Sequence, residues 1–258
     1  MNPQTPQHPL VSIITVCLNS AATIRATIES VERQTYSPIQ YIFIDGGSSD
    51  GTLAAIKNHS DRVDVVISEK DRGISDAFNK GIALAKGEFI QLLNADDMLD
   101  DHKIEKSVAL LESNPQAGFV FGDVVKVDTA GHREKVSGDP NYSHTIRYTM
   151  GAIPHPSLLA RRRLYDVYGG FDLRRKIAMD YDWLLRVHRG GERGIYSNEI
   201  LVVMTAGGMS DANMLAAYRE VRDISIEHGL SRVIAHSYYT ARFLKHKIYL
   251  FLGWRKEN

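Results

Sequence analysis

Two hydrophobic periods alternate along the first half of the chain. Leu10 to Val16 is a β-branched apolar run, and Ile39 to Ile44, Val63 to Ile67 and Phe89 to Leu93 repeat its signature. Short continuous apolar runs bounded by polar turns predict buried strands. Between them, apolar positions recur three and four residues apart, as one helical face requires. Ile24, Ile28 and Val31 form one such stripe, with Asn19 or Ser20 upstream as a candidate cap. Thr52 to His59 predicts a second helix. Ile74, Phe78 and Ile82 mark a third, where Ala77, Gly81 and Ala85 permit close approach to a sheet. Ile104, Val108 and Leu111 mark a fourth, ahead of a strand at Gly118 to Phe121. This βα alternation predicts an α/β fold: a mostly parallel, Rossmann-like sheet with helices on both faces.

After Gly122 the rhythm changes. Val124 to Val127, the turn Asp128-Thr129-Ala130-Gly131 and Glu134 to Val136 predict a hairpin. A helix around Tyr181 to His188, a strand near Ile195 to Met204 and a helical tail follow. No repeat, low-complexity segment or Pro/Ser-rich linker interrupts the chain. The expected organisation is a loose tail over 1–9, one continuous domain over 10–208 and a helical extension over 209–258.

Composition narrows the picture only slightly. At 258 residues, 43% hydrophobic and 24% charged, the chain is ordinary for a globular protein with a real core. Zero formal net charge removes any global reason to expect nucleic acid as a partner. The lone cysteine, Cys17, sits in an apolar run and suits a reducing compartment. The first nine residues carry three prolines and no basic-plus-apolar leader, and no apolar run spans a bilayer. A cytoplasmic location is expected.

Candidate chemistry gathers where predicted strands end. Phe89 to Leu93 runs into Asn94-Ala95-Asp96-Asp97, placing two carboxylates and an amide at a carboxyl edge. Ligands of open α/β sheets bind beyond that edge, and Mg²⁺ or Mn²⁺ takes one or two carboxylates plus substrate phosphates. A solvated acidic turn is the alternative. Asp45 ends the second strand, followed by Gly46-Gly47-Ser48-Ser49-Asp50-Gly51. Its carboxylate could bind a base imide or ribose hydroxyl, or it could close the turn with Ser48. Asp71 precedes the third helix and could turn into the same cleft, while Asp76 and Asn79 share a face at the helix start. No Gly-x-Gly-x-x-Gly follows the first strand and no Gly-Lys-Ser/Thr loop is present, which counts against dinucleotide oxidoreductases and P-loop enzymes. Downstream, Asp180 and Asp182 are about 200° apart on a helix and cannot enter one cleft. Asp180, beside Trp183, is a candidate general base, and Asp182 is better read as favourable charge at a helix start. His155 could contact an acceptor or a diphosphate, or serve only its loop.

Taken together, these residues resemble the family 2 glycosyltransferases of the GT-A fold, especially bacterial members that build surface polysaccharides. The resemblance runs from about Leu10 to Gly208. It rests on Ser12-Ile13-Ile14-Thr15-Val16 with Asn19, on Asp45 to Thr52, and on Asp71-x-Gly-x-x-Asp-Ala-x-Asn-x-Gly. Asn94-Ala95-Asp96-Asp97, and Gly170-Phe171-Asp172 before Met179-Asp180-Tyr181-Asp182, complete it. It implies a nucleotide-sugar-binding half over 10–122 and an acceptor half over 123–208. It assigns Thr15, Asn19, Asp45 and Asp71 to the nucleoside pocket, Asn94 to the ribose, Asp96 to a divalent cation (Mg²⁺ or Mn²⁺) and Asp180 to the base. His155 and Asp182 are the acceptor-side candidates. The implied reaction is inverting transfer from a nucleotide sugar, UDP-linked by resemblance with GDP- and dTDP-linked donors open, to a hydroxyl of a saccharide or lipid-linked acceptor.

Asn94 departs from the family's Asp-x-Asp motif and removes one negative charge. That raises the alternative of an inactive nucleotide-sugar-binding module. In the tail, Phe243, Leu244, Ile248, Phe251, Leu252 and Trp254 intersperse with Arg242, Lys245, Lys247, Arg255 and Lys256. Such a basic amphipathic helix suits peripheral membrane contact or docking on a second subunit, so an oligomer stays open.

Overall fold

The computed structural model describes residues 8–207 and 213–256, excepting the side chains of 60, 200 and 249–256. The elements run β1 (Val11–Cys17), α1 (Ile24–Glu32), β2 (Ile39–Asp45), α2 (Thr52–Lys57), β3 (Val65–Ser68) and α3 (Ile74–Leu84). Next come β4 (Phe89–Asn94), β5 (Met98–Leu99), α4 (Lys103–Ser113), β6 (Ala117–Val127), β7 (Arg133–Val136) and α5 (Tyr142–Thr145). The chain continues through β8 (Leu159–Arg161), α6 (Arg163–Tyr168), α7 (Met179–Arg189), β9 (Arg193–Thr205), α8 (Met214–Glu227) and α9 (Arg232–Lys256). The strands form one sheet in the order β3-β2-β1-β4-β8-β6-β9-β5, with β7 paired to β6. β3, β2, β1 and β4 are mutually parallel, whereas β8 is antiparallel to both β4 and β6.

Two apolar layers flank this sheet, because alternate strand residues face opposite sides. Ile14, Ile42, Ile44, Ile90 and Leu92 point to the layer covered by α3, α6, α7 and α8. Ile13, Tyr41, Phe43, Phe89 and Leu93 point to the layer under α1, α2 and α4. Gly81 shows why small residues are needed on α3: a Cβ there would stand 2.3 Å from Ile14 Cγ2.

Several boundaries differ from expectation. α1 begins at Ile24 with Thr23 before it and no side-chain cap, so Asn19 and Ser20 are not its caps. Asn19 instead has a left-handed φ of 51° in the loop after β1. The hairpin is present, but its first strand is continuous with the preceding one as β6, since Gly122 to Val124 stay paired to β9 through register shifts. β8, only three residues long, carried too little periodic signal to be anticipated. Residues 1–7 of the expected tail, and the expected domain boundary at 208, lie outside the described residues.

Candidate active site

Strand register brings the candidate residues to one edge. Cys17 pairs with Asp45, Val16 with Asn94, and Asp45 with Ser68, so four parallel strands end together. Beyond them lies a cleft of about 660 Å³. One wall is Cys17 to Ser20 with Gly46, and a second is Asp71 with the start of α3. Asn94 to Asp97 form its acidic floor, flanked by Lys126, Met204 and Thr205, and Lys176, Ile177 and Met179 close the far side.

The acidic floor is electrostatically incomplete. Asp97 is 2% exposed, accepts a 2.9 Å bond from Asn94 Nδ2 and a long one from the Thr205 amide. Burial, followed by the neighbouring Asp96 charge, pushes its pKa up to about 7. Burial raises Asp96 as well. Thr205 donates to the Asp96 carbonyl at 2.6 Å and fixes the turn. Two desolvated carboxylates side by side fit a divalent cation, the counter-charge that would relieve both. Among the described residues no cluster of three or more His, Cys, Asp or Glu could hold a metal alone. Further ligands would have to be phosphate or water oxygens. The Asn94 amide is thus an internal partner of Asp97.

The loop after β2 is organised by its own carboxylate. Asp45 is fully buried and accepts from the Gly47 and Ser48 amides at 3.2 and 3.0 Å, from Ser48 Oγ, and from Ser68 Oγ at 2.6 Å. Burial would raise its pKa, but the Ser48 and Ser68 hydroxyls and the two amides hold it below the ordinary value. Its oxygens are therefore committed to the turn, the second of the roles open to it in the sequence. Asn19 ties the loops together: its Oδ1 accepts from the Ser49 amide at 2.9 Å and its own amide donates to Ser48 Oγ at 2.8 Å. Asn19 and Asp71 do line the cleft. Asp71 pairs with Lys80 at 2.5 Å, and its other oxygen would lie 3.0 Å from a Cβ at Gly46, so any larger residue there would press on this carboxylate. Thr15 is a correction: it is fully buried, bonds Tyr41 Oη at 3.2 Å, and lies outside the cleft wall.

Helix α7 separates its two acids as the 200° angle requires. Asp180 is half-buried in the first turn, next to the cleft residue Met179, and its Oδ1 accepts from the Tyr181 amide at 2.8 Å. His155 packs edge-on to Phe78 and Phe171, with ring centroids 6.5 and 6.1 Å away. Burial lowers its pKa, and the nearby Asp180 charge partly offsets that. These two residues are brought together. Asp182 is the second correction: it is buried on the opposite side, accepting from Arg186 Nε at 3.1 Å and lying 3.4 Å from Arg175 and 3.2 Å from His228. It cross-links α7 to the segment before it and to the end of α8, and it is absent from the lining of the cleft. Asn79 likewise clamps both backbone groups of Phe171, and Asp76 pairs with Arg72 at 2.8 Å.

Sequence reasoning missed Leu18, which is 60% exposed on the cleft rim, and the cleft cations Lys126 and Lys176. Lys176 could have been flagged by the basic run Arg174-Arg175-Lys176 just ahead of Asp180. Lys126 carried no local signal, since its strand reaches the cleft only through pairing with β9.

Residues 12–179 match the family model described as glycosyl transferase family 2. A PGL/p-HBAD biosynthesis glycosyltransferase of Mycobacterium bovis is 30% identical over 183 residues, which cover 69% of each chain. The O-antigen biosynthesis protein RfbC of Myxococcus xanthus is 26% identical over 189 residues, 70% of this chain but 14% of that protein. Among solved structures, S. aureus TarS 1–349 in complex with UDP superposes with a TM-score of 0.66 at 16% identity, covering 91% of this chain and 70% of that one. A Pyrobaculum calidifontis mannosyltransferase in complex with GDP-Man and Mn²⁺ also gives 0.66, at 20% identity, covering 90% and 69%. Both likenesses concern the fold, a GT-A arrangement.

Proposed function

The chain belongs to glycosyl transferase family 2, and on that premise we propose that it transfers a sugar, with inversion, from a nucleoside-diphosphate donor to an acceptor hydroxyl. A UDP-linked donor follows the TarS complex, with GDP-Man named for the other neighbour, and a saccharide or lipid-linked acceptor in surface polysaccharide synthesis is consistent with the O-antigen relative. The observation that carries this reading is the cleft itself. It sets an under-neutralised acid pair, Asp96 and Asp97, across from Asp71 and the rim of Leu18 and Asn19, with Asp180 adjoining the far wall.

In the proposed reaction the acceptor oxygen bonds to the anomeric carbon as the carbon–diphosphate oxygen bond breaks on the opposite face. Asp180 takes the acceptor's proton, the role of a general base in the first turn of a helix. His155 lies beside it, its pKa lowered, and can hold an acceptor oxygen in place. Leu18 and Asn19 meet the nucleoside, and Lys126 and Lys176 add positive charge to the phosphate side. Mg²⁺ or Mn²⁺ held by Asp96 and Asp97 would supply Lewis-acid stabilisation of the departing diphosphate. Asn94 does not favour an inactive binding module, because its amide supports Asp97 and both acids remain.

Residues 10–122 would then serve the donor and 123–208 the acceptor. No helix among the described residues is long and apolar enough to cross a membrane. α9 exposes Val233, Leu244 and Ile248 (76, 53 and 57%) beside exposed Arg232 and Lys245, which suits peripheral contact with an anionic lipid surface. Phe251, Leu252 and Trp254 belong to that helix, but their side chains lie outside the described residues. Vesicle sedimentation with phosphatidylglycerol should weaken when Leu244 and Ile248 become serine; unchanged sedimentation would remove the membrane from the proposal.

The deciding experiment is a thermal-shift screen of UDP-, GDP- and dTDP-sugars with Mn²⁺, followed by nucleoside diphosphate release. Asp180→Asn should abolish transfer and keep donor binding. Full turnover in that variant would refute Asp180 as the base.

A further inference from the structure

Helix α8 lies beyond the residues that match the family model, yet one of its carboxylates reaches the start of α7. Glu220 accepts hydrogen bonds from three consecutive backbone amides: Lys176 at 2.7 Å, Ile177 at 2.8 Å and Ala178 at 2.7 Å. Amides at a helix start have no intrahelical acceptor, and a carboxylate there also meets the positive end of the helix dipole. Bonds of this charge-assisted kind are short and directional. The residues so held adjoin the candidate site. Lys176 and Ile177 form the far wall of the cleft, and Ala178 is the N-cap of the helix whose second residue is Asp180. From the opposite side Ser75 donates to the Arg175 carbonyl at 3.1 Å, so this strap is held between α3 and α8.

Other ties between α8 and α7 do a different job. Tyr181 Oη and Ser225 Oγ are 2.8 Å apart, and Val221 and Ile224 pack into the apolar layer shared with α3, α6 and α7. Glu227 pairs with Arg175, and His228 with Asp182. These contacts bind helix to helix or brace the base of the strap, and none reaches a backbone amide of the cleft wall.

We infer that Glu220 is a positioning residue for sugar transfer, holding the strap 176–178 so that Lys176 and Ile177 wall the cleft and Asp180 faces the acceptor. The inference rests on the reading of Asp180 as the base. Its removal should disorder the geometry of the reacting groups more than the binding of the nucleoside, whose contacts are on the opposite wall. Glu220→Gln preserves the size of the side chain but turns one acceptor oxygen into a donor facing amides that also donate.

The test compares wild type with Glu220→Gln, Ser225→Ala and Asp180→Asn. Turnover is read as UDP release from UDP-glucose and UDP-GlcNAc with Mn²⁺, and nucleotide affinity by calorimetry with UDP. Glu220→Gln should lower kcat at least about tenfold, the loss a small misplacement of reacting groups brings, with UDP affinity nearly unchanged. Ser225→Ala should lower the melting temperature and leave kcat near wild type. A second readout follows Asp180 directly. Its charge raises the His155 pKa against burial, so an NMR titration of His155 should move down in Asp180→Asn and in Glu220→Gln, but not in Ser225→Ala. Wild-type kcat with an unmoved His155 titration in Glu220→Gln would overturn the inference. So would a kcat loss in Ser225→Ala that matches its loss of stability. Turnover surviving in Asp180→Asn would overturn the base assignment instead. If wild type turns over neither sugar nucleotide, the His155 titration decides whether Glu220 sets the position of Asp180.

Discussion

Asp180 and Asp182 stand two residues apart on one helix, and replacing Asp182 with Asn should separate folding from chemistry. Asp182 is 6% exposed at its side chain and meets Arg186 at 3.1 Å, His228 at 3.2 Å and Arg175 at 3.4 Å. Breaking a buried ion pair from one side costs about 3–5 kcal/mol, since the remaining charge is left uncompensated. Asn keeps one acceptor oxygen, and Arg175 keeps Glu227, which is half-exposed. A hydrogen bond to a charged group is worth about 1.5–3 kcal/mol, so the expected loss narrows to about 2–4 kcal/mol. For a domain of this size, about 2–4 °C of melting temperature accompanies each kcal/mol, giving a fall of about 5–15 °C. Circular dichroism melts would measure it, with UDP release at 20 °C as the activity check. Acid pH supplies a second test. Burial raises the Asp182 pKa, but His228, Arg186 and Arg175 together bring it below the ordinary value. Stability from this group is therefore present above the unfolded pKa and lost as pH falls through the folded one, so the gap between wild type and variant should close below about pH 4. A variant that melts like wild type, or that loses turnover without losing stability, would refute the structural role given to Asp182.

Three further outcomes are expected. Gly81→Ala gains about 1 kcal/mol of helix propensity, but its Cβ would meet Ile14 Cγ2 at 2.3 Å, and overpacking costs about 1–3 kcal/mol. Urea unfolding should show net destabilisation, and a stabilised variant would mean that α3 lifts off the sheet freely. Asp97→Asn removes a buried carboxyl whose pKa is pushed up to about 7. The folded wild type binds that proton more tightly than the unfolded chain, so it loses stability as pH rises from the ordinary carboxylate range through 7. In EDTA the variant should melt higher than wild type at pH 8 and alike near pH 3, and Mn²⁺ should stabilise wild type more strongly; identical pH profiles would contradict the acid-pair electrostatics. Leu18→Ser, at a 60% exposed rim position, should weaken UDP binding by roughly fivefold, about 1 kcal/mol of lost apolar contact. Calorimetry reads the change, and unaltered affinity would place the base elsewhere.

Much of the candidate cleft was legible because strand endings are local facts. An apolar run that stops at Asn94-Ala95-Asp96-Asp97 puts its acids at the sheet's carboxyl edge once the strands are parallel, and βα alternation made them parallel. Helical angle likewise parted Asp180 from Asp182. Partnership was not legible. Asp45 and Thr15 are polar residues at a strand end, and only packing shows that Ser48, Ser68 and Tyr41 absorb their hydrogen-bonding capacity.

Sequence alone thus determined the layered α/β plan and the sheet edge at which the candidate acids gather, because period and chain order encode these within a few residues. Tertiary structure decided the rest. Asp97 acquired its raised pKa from burial against Asp96 and β9, Lys126 reached the cleft through strand pairing, and Glu220 met amides 42 to 44 residues upstream. Burial and long-range hydrogen bonds are properties of how distant segments pack, and no local pattern in the chain specifies them.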